Sequence, residues 1–130
     1  MLFGTDGIRG EVADSPKSDE DAISQLLDDR TISARLMRLV GEALSRTVNV
    51  GSNVIIGWDN RPRNSELVES LTVGLHLGGC KVIHGGICAT PGLHNAILET
   101  GSALGCMVTA SHNPVSDSGI KVFDSAGFKT

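Results

Sequence analysis

Ala103-Leu104-Gly105-Cys106-Met107-Val108-Thr109-Ala110-Ser111-His112-Asn113-Pro114 is the stretch whose reading decides the fold. Its first six residues are an apolar run short enough for a buried strand, and the run stops abruptly in a polar loop. A second run, Ile120-Lys121-Val122-Phe123, follows Val115-Ser116-Asp117-Ser118-Gly119. In such an arrangement the apolar strand fixes position and the loop carries chemistry. Pro114 fixes its own φ and biases Asn113 away from helix, so the loop cannot continue as regular structure. The short connection lets the second run return antiparallel to the first.

Working outward, the same pattern repeats upstream. Val54-Ile55-Ile56 is β-branched and marks a buried strand over 53–57, ending in Trp58-Asp59-Asn60-Arg61. Cys80 to His84 is the next strand, ending at Gly85-Gly86. Helices alternate with these runs. Ile32, Leu36, Leu39, Val40 and Ala43 fall on one face of a helix opened by Thr31. Asn64 or Ser65 caps a second, with Leu67, Val68, Leu71 and Leu75 inward, and Gly78-Gly79 stops it. Thr90-Pro91 starts a third, which carries Leu93, Ala96 and Ile97 inward and ends at Gly101. The expected fold is therefore a three-layer α/β/α domain over residues 1–130, with a mixed, mostly parallel sheet of about four strands. The strand ends at Asp59, Gly85 and Ser111 should share one edge, where such folds bind ligands.

Two segments resist this pattern. Residues 2–10, Leu-Phe-Gly-Thr-Asp-Gly-Ile-Arg-Gly, read as a flexible segment with exposed amides. Their G-x-x-G-x-x-G spacing, with no strand ahead of it, fails the dinucleotide fingerprint, which sets aside a Rossmann nucleotide-binding reading. Arg9, between Ile8 and Gly10, is a candidate anion contact. Residues 11–30 are acid-rich (Asp14, Asp19, Glu20, Asp21, Asp28, Asp29), and Ser18 with Asp21 can cap a short helix through Leu27. With nothing converging on these acids, they read as a solvated segment rather than a metal site.

Composition narrows the function classes. The 130 residues are 40% apolar, enough for one packed domain. A net charge of −4 argues against nucleic acid or an anionic membrane as partner. Cys80, Cys88 and Cys106 show no C-x-x-C spacing and read as free thiols in a reducing cytoplasm. Met1-Leu2-Phe3 meets Asp6 and Arg9 too soon for a signal peptide, and no apolar run approaches the roughly 20 residues that span a bilayer.

Ser111 lacks the G-x-S-x-G setting of a hydrolase nucleophile. His112 is its sequence neighbour, and adjacent side chains in extended backbone diverge, which disfavours a Ser–His dyad. Arg9, Arg61 and Lys121 suit phosphate better than acyl groups. Phosphoryl transfer needs positioning and charge neutralisation more than covalent help. Arginine makes bidentate phosphate contacts, and a lysine whose pKa is lowered by burial or by neighbouring cations suits acid/base work.

Phe3-Gly-Thr-Asp-Gly-Ile-Arg-Gly10, Gly57-Trp-Asp-Asn-Arg61, and Thr109-Ala-Ser-His-Asn-Pro114 with Gly119-Ile-Lys-Val-Phe123 together resemble the N-terminal domain of the α-D-phosphohexomutases, in residues, order and spacing. The resemblance covers nearly the whole chain except 11–30, which looks like an insertion. It implies a phosphorylated Ser111 that gives its phosphoryl group to a sugar monophosphate. The hexose 1,6-bisphosphate so formed, also the activator, turns round and returns its other phosphate. Mg2+ would be held by the phosphate on Ser111 and by ligands outside this chain. Arg9 and Lys121 would flank the transferring phosphate, with Lys121 as general acid/base. His112 would steady loop and phosphate, and Arg61 and Asn113 would organise or bind phosphate. The remaining domains of the same enzyme would be the chain's partners.

The sequence departs from the family's pattern at Asn60, where Thr is common, and at Ser118, where Asn is common. No D-x-D-x-D-R metal loop is present, although a hard cation wants several carboxylates. The expectation is a piece of a larger enzyme that is inactive alone. The competing expectation is a non-catalytic sugar-phosphate or anion-binding module acting with a partner chain. The Thr-Asp-Gly-Ile-Arg-Gly opening leans toward a hexosamine substrate, and Thr109 toward mannose or glucose.

Overall fold

A computed structural model describes residues 7–110 and 113–127. One six-stranded sheet runs through them in the order β2-β1-β6-β5-β3-β4. The strands are β1 (Ile8–Val12), β2 (Thr31–Ile32), β3 (Asn53–Trp58), β4 (Lys81–Ile87), β5 (Leu104–Val108) and β6 (Asp117–Asp124). The helices are α1 (Asp19–Asp29), α2 (Ala34–Ser45), α3 (Asn64–Leu77) and α4 (Thr90–Thr100). The α/β/α reading holds, with six strands in place of about four.

One extra strand comes from the segments that resisted the pattern, the other from the expected start of a helix. Ile8–Val12, expected as flexible, lies antiparallel to β6, with Ile8 opposite Ile120 and Arg9 opposite Gly119. Ile8, Gly10 and Val12 alternate with Arg9 and Glu11, a period of two. Thr31 and Ile32 do not open the helix; they pair in parallel with Glu11 and Val12. Ser33 caps α2 instead, its hydroxyl accepting from the Leu36 amide at 3.2 Å. The inner face of that helix is therefore shifted: Leu36, Met37, Val40, Gly41 and Leu44 are buried, while Ala43 is exposed.

The acid-rich segment is structured too. Ser18 caps α1 by accepting from Asp21, as expected, and Ala22 and Leu26 are buried. Its acids are not all solvated: Arg35 and Arg38 of α2 both reach Asp19, at 2.7 and 2.6 Å. The Arg35 hydrogen bond is the main reason the Asp19 carboxyl lies below its ordinary pKa, with burial acting in the opposite direction.

Two cores flank the sheet. Val54, Ile56, Cys106, Val108, Ile120 and Val122 face α2 and α3, while Ile55, Met107 and Phe123 face α4 through Leu93 and Ile97. Alternation along β3, β5 and β6 produces both. Helices α2 and α3 touch backbone to backbone at Gly41 and Gly74, where a Cβ on Gly74 would strike the Arg38 carbonyl oxygen. The chain enters α4 through Ala89, which occupies the cap position without a side-chain bond, so the cap expected at Thr90 falls one residue earlier. Strand β4 runs on through the glycines expected to end it. Its register slips at Gly85, because Ile56 faces His84 while Gly57 faces Gly86.

Strands β3, β4 and β5 are parallel, and β6 returns antiparallel to β5. The chain leaves the three parallel strands at one edge, at Asp59, Cys88 and Thr109. Gly85 thus lies within its strand rather than at the edge.

Candidate active site

Ser111 and His112 lie outside the described residues. The structure does define what holds the chain on either side of them, and where the other candidates stand.

Arg9 and Lys121 share one face of the sheet. Ile8 and Ile120 are paired and both point into the α2–α3 core, so Arg9 on β1 and Lys121 on β6 point to the opposite side. Gly119 lies opposite Arg9, and the Thr109 amide donates to the Gly119 carbonyl at 3.0 Å. Arg9, Gly119 and Thr109 therefore form a row across three strands. Gly119 has no side chain to block the row, and Arg9 crosses it. Its Nη1 donates to the Ala110 carbonyl at 3.5 Å and to Asn113 Oδ1 at 3.3 Å. One guanidinium group thus brackets residues 111 and 112.

Gly7, just ahead of β1, explains how this strand end can lie so close to Lys121. It sits at φ +76°, and a Cβ there would collide with the Ile120 carbonyl oxygen and lie 3.2 Å from the Lys121 Cα. Lys121 itself is half-buried and faces Met107 across the ladder.

Arg61 holds the far side of the loop. Its side chain is only 11% exposed. Nη1 donates to the carbonyl oxygens of Asn113, Pro114 and Asp117 at 3.2, 2.7 and 3.0 Å. Nε donates to Asp59 Oδ2 at 3.2 Å. These bonds make Arg61 an organiser of the loop backbone. Asn113 joins the two sides, since its amide nitrogen donates to Asp117 Oδ2 at 3.1 Å while its oxygen accepts from Arg9.

Three contributors escaped the sequence reading. Asp59 accepts from Thr109 Oγ1 at 2.6 Å and from Asn64 Nδ2 at 2.6 Å. Asn64, fully buried at the first turn of α3, does not cap that helix as expected; the cap position is Arg63. Its amide instead donates to the Val108 carbonyl at 3.1 Å, and its oxygen accepts from the buried Ser118 hydroxyl. Asp59 was visible as a charged residue at a strand end, but nothing local marked Asn64 or Ser118. Ser118 is also one of the departures from the family pattern, and its hydroxyl has a partner within this chain.

Other chemistry is limited. Among the described residues, no three His, Cys, Asp or Glu side chains converge to hold a metal ion. Cys80, Cys88 and Cys106 are free thiols. Burial pushes Cys106 up to about 12, with Cys80 adding to the effect, so it stays protonated and unreactive at neutral pH. No helix among the described residues is long and apolar enough to cross a membrane.

The geometry can be set against known proteins. The family model described as phosphoglucomutase/phosphomannomutase, alpha/beta/alpha domain I, matches residues 1–130. A phosphoglucosamine mutase from Parasynechococcus marenigrum (strain WH8102) is 41% identical over 127 residues, which is 98% of this chain and 24% of that protein. A phosphoglucosamine mutase from Listeria welshimeri is 38% identical over 127 residues, 98% of this chain and 26% of that one. The crystal structure of a protein assigned as a phosphomannomutase from Thermus thermophilus superposes with a TM-score of 0.74 at 32% identity, covering 98% of this chain and 26% of that one. The chain spans about a quarter of the length of the relatives it matches.

Proposed function

Because the chain belongs to the phosphoglucomutase/phosphomannomutase family, as its α/β/α domain I, we propose that it supplies the phosphoryl-carrying loop of a cytoplasmic phosphohexomutase, with Ser111 as carrier. The observation that carries this reading is the bracketing of residues 111 and 112 by Arg9, through Ala110 and Asn113, with Lys121 on the same face of the sheet. Such an arrangement brings positive charge to a loop that would hold a phosphate.

In this reading a sugar hydroxyl of a hexose or hexosamine monophosphate attacks the phosphorus on Ser111. The Ser111 Oγ leaves as the P–O bond to the sugar forms. Lys121 takes the proton of the attacking hydroxyl and passes it on, so that Ser111 ends as a hydroxyl, and the bisphosphate reorients. In the reverse transfer Ser111 Oγ attacks the other phosphate, and its proton goes by the same route to the freed sugar oxygen. Arg9 neutralises charge on the transferring group, His112 steadies the loop and phosphate, and Arg61 and Asn113 hold the backbone that aims it. Mg2+, when bound, would add further charge neutralisation at the phosphate. The described residues offer no carboxylate cluster for it, so its remaining ligands would come from other parts of the enzyme. The same lack is why the 130-residue chain alone is proposed not to turn over.

The test is Ser111→Ala in the natural full-length protein, assayed for interconversion of hexose or hexosamine 6-phosphate and 1-phosphate with a bisphosphate activator and Mg2+. Turnover should be abolished, and phosphate found on Ser111 of the wild type by mass spectrometry should disappear. Undiminished turnover in the variant would refute the assignment.

A further inference from the structure

In the loop between β5 and β6, the described residues after Asn113 have little packing to hold them. Pro114, Val115 and Ser116 are exposed, Val115 to 67%. Behind residues 115–118 lies a cavity of about 310 Å3 walled on its other side by residues 61–64. Directed bonds therefore hold the loop. Four of those given by its described residues are backbone bonds: Thr109 N to Gly119 O at 3.0 Å, Asn113 N to Ala110 O at 3.0 Å, Asp117 N to Pro114 O at 2.9 Å and Val12 N to Ser116 O at 3.1 Å. Arg9 adds side-chain bonds to Ala110 and Asn113, Asn113 binds Asp117, and a further set of side-chain bonds converges on one carboxylate.

Asp59 stands between the two ends of the loop. At the upstream end its Oδ2 accepts from Thr109 Oγ1, one residue past β5. The same oxygen accepts from Arg61 Nε, and that guanidinium holds the carbonyls of Asn113, Pro114 and Asp117 at the downstream end. Its Oδ1 accepts from Asn64, which in turn binds Val108 O, in the last residue of β5, and Ser118 Oγ, in the second residue of β6. Each donor to Asp59 thus belongs to a loop end or to a residue that grips one. A bare carboxylate near a phosphorylated loop would repel it. Here Arg61 offsets the charge, and both oxygens already accept hydrogen bonds.

We propose that Asp59 is a positioning residue for phosphoryl transfer, fixing both ends of the Ser111 loop through Thr109 and Arg61 without touching the phosphoryl group. The inference rests on the reading that Ser111 is the carrier. Displacing a reacting group by an ångström costs up to about 100-fold in rate even when binding is intact. Asp59→Asn keeps the shape and one acceptor but loses the ion pair, so the effect should fall on kcat rather than on KM.

The experiment compares wild type, Asp59→Asn, Thr109→Val and Thr109→Ser in the natural full-length protein. Hydrogen exchange at residues 109–117 and steady-state kinetics are the two readouts. Asp59→Asn and Thr109→Val should speed exchange in the loop while β3 and β5 keep wild-type protection. They should lower kcat by about 10- to 100-fold with KM within about threefold. Thr109→Ser retains the hydroxyl and should restore both readouts. If loop exchange is unchanged in Asp59→Asn and Thr109→Val, the clamp does not exist and the proposal fails. It fails equally if the loop loosens while kcat stays at the wild-type value. A wild-type protein that does not interconvert sugar phosphates overturns the proposed function instead, and loop exchange still decides whether Asp59 holds the loop. If Asp59→Asn does not fold, Thr109→Val with its serine rescue decides the same link.

Discussion

Asn64→Ala tests whether the polar network at the site edge is closed. Asn64 is 1% exposed, and its amide serves the Asp59 carbonyl and carboxylate and the Val108 carbonyl, while its oxygen takes the Ser118 hydroxyl. Truncation strands one fully buried partner, Ser118 Oγ, while Val108 O keeps the bond from the Asp59 amide at 3.3 Å. A buried polar group left without a partner costs about 1–3 kcal/mol and a lost hydrogen bond about 0.5–1.5 kcal/mol, which gives about 2–4 kcal/mol in all. Asp59 is 33% exposed and can turn to water, so it adds little. Alanine's better helix propensity returns less than about 1 kcal/mol. The expected loss is about 2 kcal/mol, a sizeable share of the roughly 5–15 kcal/mol that holds a domain together. Urea unfolding of the 130-residue chain, followed by far-UV circular dichroism, should show a lower midpoint at an unchanged slope. Ser118→Ala removes the stranded group in advance, so the double variant should fall short of the sum of the singles by about 1–2 kcal/mol. A loss below about 1 kcal/mol for Asn64→Ala, or singles that simply add, would mean that water satisfies these groups and that the network is not closed.

Asp19→Asn should weaken the chain in a pH-dependent way. The Asp19 carboxyl is held below its ordinary 3.8, chiefly by the Arg35 hydrogen bond, so its contribution is present above 3.8 and lost as pH falls below it. The wild-type advantage in urea midpoint should be visible at neutral pH and vanish in acid. A gap that persists there would assign the effect to something other than the charge. Gly74→Ala should destabilise although alanine favours helices, because its Cβ meets the Arg38 carbonyl of α2. Overpacking of this kind costs about 1–3 kcal/mol, read as a lower melting temperature, whereas a rise would show that the two helices separate freely.

Strands β3, β5 and β6 could be read from sequence because each carries a compact apolar run, broken in β6 by Lys121, that is bounded by polar residues. The run at Ile8–Val12 follows the same rule of two, but glycine at position 10 hides half of it. Gly10 is there because the Arg30 carbonyl occupies the space of a side chain, a contact made by a distant part of the chain. Thr31 and Ile32 were misread for a similar reason: two residues are too few to show a period, and only their pairing with Glu11 and Val12 makes them a strand. At the candidate site, Arg9, Arg61 and Lys121 stood out in the sequence as charges among small, polar-loop or apolar neighbours, whereas Asn113 came only with the family resemblance. Asn64 looked like a helix cap, which is the usual use of asparagine at that place. Its actual partners, Val108 and Ser118, are 44 and 54 positions away, beyond any local pattern.

The pairing of β1 with β6 also sets an order of assembly. Strands β3, β4 and β5 with their helices are built from contiguous sequence and involve modest loop closures. Strand β1 gains its main partner only when residues 117–124 exist, and Arg9 finds Asn113 across 104 positions of chain. Contacts of such long range form late and slowly. As these residues leave the ribosome, β3, β4 and β5 would be in place while the edge beside Asn113 still lacks Arg9. That corner of the sheet would be completed last, by the strand of this domain that was synthesised first.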